Sequence, residues 1–275
     1  MSTPASSPAS SVDPRTPRLL DRLVPVSPQW RIPARKAERL AWLQLVGGVL
    51  VVGGAPMIVW MLAATAGLVR LGAGGATVAR PGVAFIVAIS VVPLTVLGYW
   101  LLVRFVGGRP VIELGGRGAA LREFLVGLAI GALLMCAVIA VLALVGSYHV
   151  VDVGWSAGIL IGLQAGILAG FTEEILVRGV MLRLIEGWVG TWWALAITAV
   201  FFGAAHLGNP QATVFGAAAI VLEAGILLGA CYLLTRRLWL AIGVHAAWNF
   251  VQGGIFGSNI SGTGSGRGLI EGRNT

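Results

Sequence analysis

The chain of 275 residues is 57% hydrophobic and only 11% charged, with a mean hydropathy of +0.89, a surface that no globular domain keeps in water. The formal net charge is +8, and Lys36 is the only lysine among 19 basic residues. These residues lie between apolar runs rather than on one face, which speaks against nucleic-acid binding and follows the positive-inside pattern of membrane proteins.

Residues 1–30 are rich in Ser and Pro with scattered Arg, the composition of a disordered arm, and the apolar run that follows is too long for a signal-peptide core. Apolar runs of about the 18 to 20 residues needed to cross hydrocarbon then recur along the chain, which makes the spans helices rather than barrel strands. Seven can be placed: Leu40–Val69, Pro81–Val103, Phe124–Val145, Gly154–Gly187, Thr191–Leu207, Ala212–Thr235 and Leu238–Phe256. The expected fold is all-α, a polytopic membrane helical bundle of about seven transmembrane helices. Residues 31–150 hold three spans without a motif, residues 151–257 form the catalytic core, and the Gly- and Ser-rich residues 258–275 read as a flexible tail. Cys136 and Cys231 sit inside apolar segments and read as small buried hydrophobes rather than a disulfide.

Basic residues gather in alternate loops: Arg31, Arg35, Lys36 and Arg39; Arg104, Arg109, Arg117 and Arg122; Arg178 and Arg183; Arg236 and Arg237. This alternation predicts a multi-pass protein of the cell membrane with a cytoplasmic N-terminus, although Arg70 and Arg80 in the first opposite loop run against it. No internal repeat suggests an inverted-repeat transporter. In the fourth span Gly154, Gly158, Gly162, Gly166 and Gly170 recur at every fourth position, a spacing that lets a second helix approach closely. Gly225 and Gly229 repeat the pattern in the sixth.

Ionisable residues within hydrocarbon are costly, so the few present are the first functional candidates: Glu173, Glu174, Arg178, His206, Glu223 and His245, with Asn249 as a polar companion. Arg178 lies four residues after Glu174 and so shares its helix face, while Glu173 points about 100° away, free to meet another group. Phe202 and His206 share a face of the fifth span, as do His245 and Asn249 of the seventh. Counted from a turn near Val189, Glu173 and His206 lie about 24 and 25 Å along their helices, so the two can meet within the membrane. The His245 and Asn249 pair reaches a similar level with modest tilts.

A carboxylate near two imidazoles and an amide suits hydrolysis of an amide without a Ser or Cys nucleophile. Glu173 can take a proton from water, and a His or Asn can donate to the oxyanion. No cofactor is required by that chemistry. Glu173, His206 and His245 would equally suit a divalent metal such as Zn with an open water position, in which case Glu174 would serve as base. Spacing alone leaves both mechanisms open. Glu223 stands outside these groups and either lines the substrate cavity or is satisfied by a neighbouring helix.

Taken together, Glu173-Glu-x-x-x-Arg178, Phe202-x-x-x-His206 and His245-x-x-x-Asn249 resemble, in order and spacing, the CAAX-protease and bacteriocin-processing family of intramembrane endopeptidases. The likeness covers about Gly154 to Phe256, with family-like context at Trp193-Ala-Leu-Ala-Ile and Leu238-Trp239. What the resemblance implies is a glutamate-dependent endopeptidase, long described as a metallopeptidase. In it Glu173 activates water, His206, His245 and Asn249 position it and hold the oxyanion, Arg178 organises the site, and Glu174 has a less defined part. The implied partners are the lipid bilayer and a membrane-associated or C-terminal peptide or protein substrate. The preference for Arg over Lys, with abundant Ala, Gly and Val, fits a GC-rich bacterial genome. Two other classes stay open: a non-catalytic membrane adaptor or bacteriocin-immunity protein that keeps the site, and an ion-coupled transporter using the same Glu and His residues.

Overall fold

In a low-dielectric surrounding, backbone N–H and C=O groups must bond within their own segment, so uncharged runs of Leu, Val, Ala and Gly become long helices. The computed structural model describes residues 38–71, 77–78, 81–264 and 266–274. The arm at residues 1–30, with Arg31, Arg35, Lys36 and Arg80, therefore lies outside the described residues. Helix α1 is Ala41–Thr65, α2 is Pro81–Ile89, α3 is Val91–Leu101, α4 is Arg117–Leu144, α5 is Gly158–Glu174 and α6 is Arg183–Val189. Next come α7 (Thr191–Ala205), α8 (Val214–Ile220), α9 (Leu227–Thr235) and α10 (Trp239–Asn249).

Among the described residues, six helices are long and apolar enough to cross a membrane: Ala41–Thr65, Gly82–Val106, Gly118–Leu144, Gly158–Val189, Thr191–Gly208 and Val214–Thr235. They match the first six expected spans to within a few residues at most ends. The third begins well before Phe124, at Gly118, inside the expected loop between the second and third spans. The seventh, α10 with the turn that continues it, is shorter and lies in the middle of the bundle, with Leu240 to Ala247 and Asn249 all buried. It packs chiefly on α4 and α5.

Glycines decide that packing. A Cβ on Gly127 or Gly131 of α4 would strike the backbone of α10 at Leu240 and Val244, and one on Gly243 would strike α4 at Phe124. The stripe of α5 behaves alike: Gly162 abuts Gly254, while Gly166 and Gly170 abut Ala246. Gly154, the first of the expected stripe, has open space. Gly225 and Gly229 seat α9 and its preceding turn on Ala199 and Leu195 of α7. Small residues at every fourth position thus bring α10 into direct backbone contact with two neighbours, as close helix packing in lipid requires.

Besides Leu102–Val106 at the end of the second span, three segments are widened into π turns: Ile175–Leu182 between α5 and α6, Val221–Ile226 between α8 and α9, and Phe250–Ile255 after α10. Each adjoins or contains one of the intramembrane polar residues, the usual place for such widening. The outward faces are apolar, with Leu50, Met57, Leu133 and Leu144 exposed, and the charges sit inside. Cys136 is among the exposed positions rather than buried as expected, because its face of α4 points away from the bundle, and Cys231 is half-buried; both thiols are free.

At one end, arginines of the connecting turns pair with the buried carboxylates of Glu113, Glu123 and Glu186 and the half-buried one of Glu38. Arg109 reaches Glu38 at 3.1 Å and Glu113 at 2.9 Å, Arg236 grips Glu186 through both oxygens, Arg183 meets Glu38, and Arg237 meets Glu123. These residues therefore brace the turns of the bundle as well as carrying the charge bias read from the sequence.

At the other end, strand β3 (Tyr148–Val153) pairs antiparallel with β4 (Ile270–Asn274), while two short strands, β1 (Arg70–Leu71) and β2 (Thr77–Val78), pair antiparallel after α1. The Gly- and Ser-rich tail makes defined contacts here. Residues 258–264 run across the end of the bundle, with Gln211 N donating to Gly262 O at 2.8 Å and Asn209 Nδ2 to Ser261 O at 2.6 Å. Glycines of that stretch serve as turn residues, Gly262 at φ 83° and Gly264 at φ 118°, in the region that side chains disfavour.

Candidate active site

Glu173 and Glu174 end α5, His206 ends α7, and His245 and Asn249 lie one turn apart on α10. Because α10 is threaded between α4 and α5 on glycine contacts, its polar face lands against the end of α5. All six candidate residues, Glu173, Glu174, Arg178, His206, His245 and Asn249, are thereby drawn into one cluster inside the bundle.

Glu174 is fully buried, and a single oxygen, Oε1, accepts from Arg178 Nη1 at 2.8 Å and from His245 Nδ1 at 2.8 Å. The π segment places Arg178 so that its Nη2 also reaches the carbonyls of Ala224 and Gly225, at 3.0 and 3.2 Å, in the π segment of the sixth span. Its guanidinium lies 4.6 Å over the Phe202 ring, which in turn meets His206 edge-on at 4.8 Å and His245 at 5.9 Å. Phe202 thus packs on the arginine and on both imidazoles.

Glu173 turns the other way. Its Oε2 makes no hydrogen bond and lies 3.9 Å from Nε2 of both His206 and His245, while the side chain as a whole is 37% exposed. His206 Nδ1 donates to the Phe202 carbonyl at 2.7 Å, an atom that can only accept, and His245 Nδ1 donates to the Glu174 carboxylate. Those partners assign the proton of each neutral ring to Nδ1 and leave both Nε2 atoms directed at Glu173.

Two cavities flank the cluster. One, of about 390 Å³, runs along α4, the sixth span and α10; the other, of about 450 Å³, lies among α1, α5 and α7. Phe202, His206, Asn249 and Ser261 line both and form a waist between them, with Glu173 on the second side. Glu223, whose place the sequence left open, is exposed on the wall of the first.

Ligands of a tetrahedral zinc ion stand about 3.4 Å apart around bonds of about 2.1 Å. The 3.9 Å separations of Glu173 from the two histidines are wider, and among the described residues no group of three or more His, Cys, Asp or Glu side chains is arranged to hold a metal ion. As they stand, Glu173, His206 and His245 do not fit the metal site considered for them.

Two features were missed from the sequence. Glu174 as the partner of His245 has no local signal, since 71 positions separate them. Gln252 was detectable, because His245, Asn249 and Gln252 follow a helical face, and it lines the first cavity and donates to Asn259 O at 2.7 Å.

No curated protein and no solved structure matches this chain. Residues 154–251 match the family model described as type II CAAX prenyl endopeptidase Rce1-like. That span contains all three motifs and every side chain of the buried cluster, and over it the chain is similar to this family of membrane proteases.

Proposed function

We propose that this protein is an intramembrane endopeptidase that hydrolyses a peptide bond of a membrane-associated or C-terminal segment with water activated by Glu173. The observation that carries the reading is the unpaired Oε2 of Glu173, 3.9 Å from the Nε2 of two histidines whose Nδ1 atoms are both committed. Two hydrogen bonds of about 2.8 Å meeting near a right angle at one oxygen span about 4 Å, so an attacking water fits between these groups.

In the proposed step Glu173 takes a proton as the water oxygen adds to the carbonyl carbon. A neutral histidine with its proton on Nδ1 offers only an acceptor at Nε2, which leaves the Asn249 amide as the ready oxyanion donor. His245, anchored through Nδ1 on the Glu174 carboxylate, keeps its Nε2 as an acceptor aimed at the attacking water. On collapse the C–N bond breaks and the nitrogen leaves with the proton that Glu173 acquired. Arg178 neutralises Glu174 and fixes the sixth span, a positioning role. No step runs through a metal.

The apolar wall of the first cavity, with Met135, Ile139, Ile220 and Leu228, suits a greasy substrate portion, such as the prenyl group in the family's description. The charge bias of the loops supports a cell-membrane protein with its N-terminus in the cytoplasm.

The test is cleavage of a membrane-peptide library by the wild type and by Glu173→Gln, before and after exhaustive chelation. Cleavage by the wild type alone that survives chelation is expected. Loss on chelation would return the mechanism to a metal, and absence of cleavage in every arm would favour a non-catalytic adaptor or bacteriocin-immunity protein.

A further inference from the structure

Glu223 takes no part in the proposed chemistry, yet it is an acidic side chain in a membrane-spanning helix, a position tolerated only where water or a partner compensates the charge. It lines the first cavity, is exposed there, and makes no hydrogen bond or ion pair among the described residues. Its place is not incidental to the site. Glu223 lies in the π segment Val221–Ile226, and the next two carbonyls, of Ala224 and Gly225, accept from Arg178, so the guanidinium that pins Glu174 also pins the turn that presents Glu223.

The charges around it point one way. No lysine or arginine lines either cavity among the described residues, and Arg178, 1% exposed, is wholly engaged. The ionisable neighbours in the same cavity are His206 and His245, whose Nε2 atoms face Glu173. A free carboxylate entering this cavity would meet Glu223 and no countercharge. A cation would meet a carboxylate against an apolar wall, where an ion pair is screened less than on an open surface.

We propose that Glu223 is the anionic subsite of this cleft and seats a lysine or arginine side chain of the substrate polypeptide, across the waist from Glu173. The proposal rests on the peptidase reading for its substrate but predicts binding independently of hydrolysis.

The experiment uses the full chain in nonionic detergent and fluorescein-labelled apolar peptides of about 20 residues with one Lys scanned along them, each paired with a Gln counterpart. Anisotropy measures binding and gel analysis measures cleavage of the same peptides by the wild type, Glu223→Gln and Glu223→Lys. At one or more positions the Lys peptide is expected to bind the wild type about tenfold tighter than its Gln twin. That ratio should fall to about one in Glu223→Gln, and Glu223→Lys should instead favour a Glu peptide. Equal ratios in the wild type and Glu223→Gln, or no binding of any peptide, would overturn the subsite. Preferential binding without cleavage would leave the subsite standing and count against the hydrolytic reading; cleavage without any Lys preference would do the reverse.

Discussion

His245 Nδ1 sits 2.8 Å from Oε1 of Glu174, the same oxygen that holds Arg178 at 2.8 Å. One buried carboxylate oxygen therefore sets the tautomer of a candidate catalytic imidazole and neutralises the arginine that braces a neighbouring helix.

Because Arg178 is buried and paired, Arg178→Ala leaves Glu174 an uncompensated buried charge. Removing one member of such a pair costs about 3–5 kcal/mol. The thermal midpoint in detergent should drop clearly for Arg178→Ala and stay near wild type for Glu173→Gln, whose Oε2 has no bond to lose. Equal midpoints for all three proteins would refute the structural pair.

Glu174→Gln keeps the shape of the side chain but removes the charge facing His245. Turnover should fall by roughly 100-fold, with the loss in kcat, because the ring loses the acceptor that anchors it and fixes its tautomer. A double-mutant cycle with His245→Gln should be strongly non-additive, since both changes break one bond; additive losses would separate the two residues.

Asn249→Ala removes the amide assigned to the oxyanion, and loss of one such donor lowers kcat by about 100- to 1000-fold. Steady-state kinetics on a cleaved peptide would decide it, and a change confined to KM would assign Asn249 to substrate binding instead.

Gly131→Val puts a side chain into the Val244 backbone and should push α10 away from α4, carrying His245 and Asn249 out of register. Gly53→Ala, where nothing lies within 4 Å, serves as the control and should leave activity unchanged. An active, normally folded Gly131→Val protein would show that the α4–α10 contact does not position the site.

Deleting residues 258–275 removes the partner of β3 and the segment that lines both cavities. Hydrogen exchange at residues 148–153 should lose its protection and the thermal midpoint should fall. Unchanged exchange there would contradict the strand pairing.

Hydropathy and periodicity alone determined the membrane bundle, its first six spans, the glycine stripes and the identity of the polar residues, because each is a property of one helix at a time. Lipid leaves a segment no choice but to satisfy its own backbone, so its course is written locally. The meeting of Glu173 with His206 was legible too, since both are counted along helices from one turn. What the tertiary structure decided was every relationship between segments without such a common ruler. Glu174 rather than Glu173 holds His245, the carbonyls of Ala224 and Gly225 hold Arg178, Glu223 faces the cavity, and the tail closes the end of the bundle. These depend on how far α10 sinks between α4 and α5 and on how the π segments turn their side chains, quantities set by the fit of three surfaces at once rather than by the spacing of residues within any one of them.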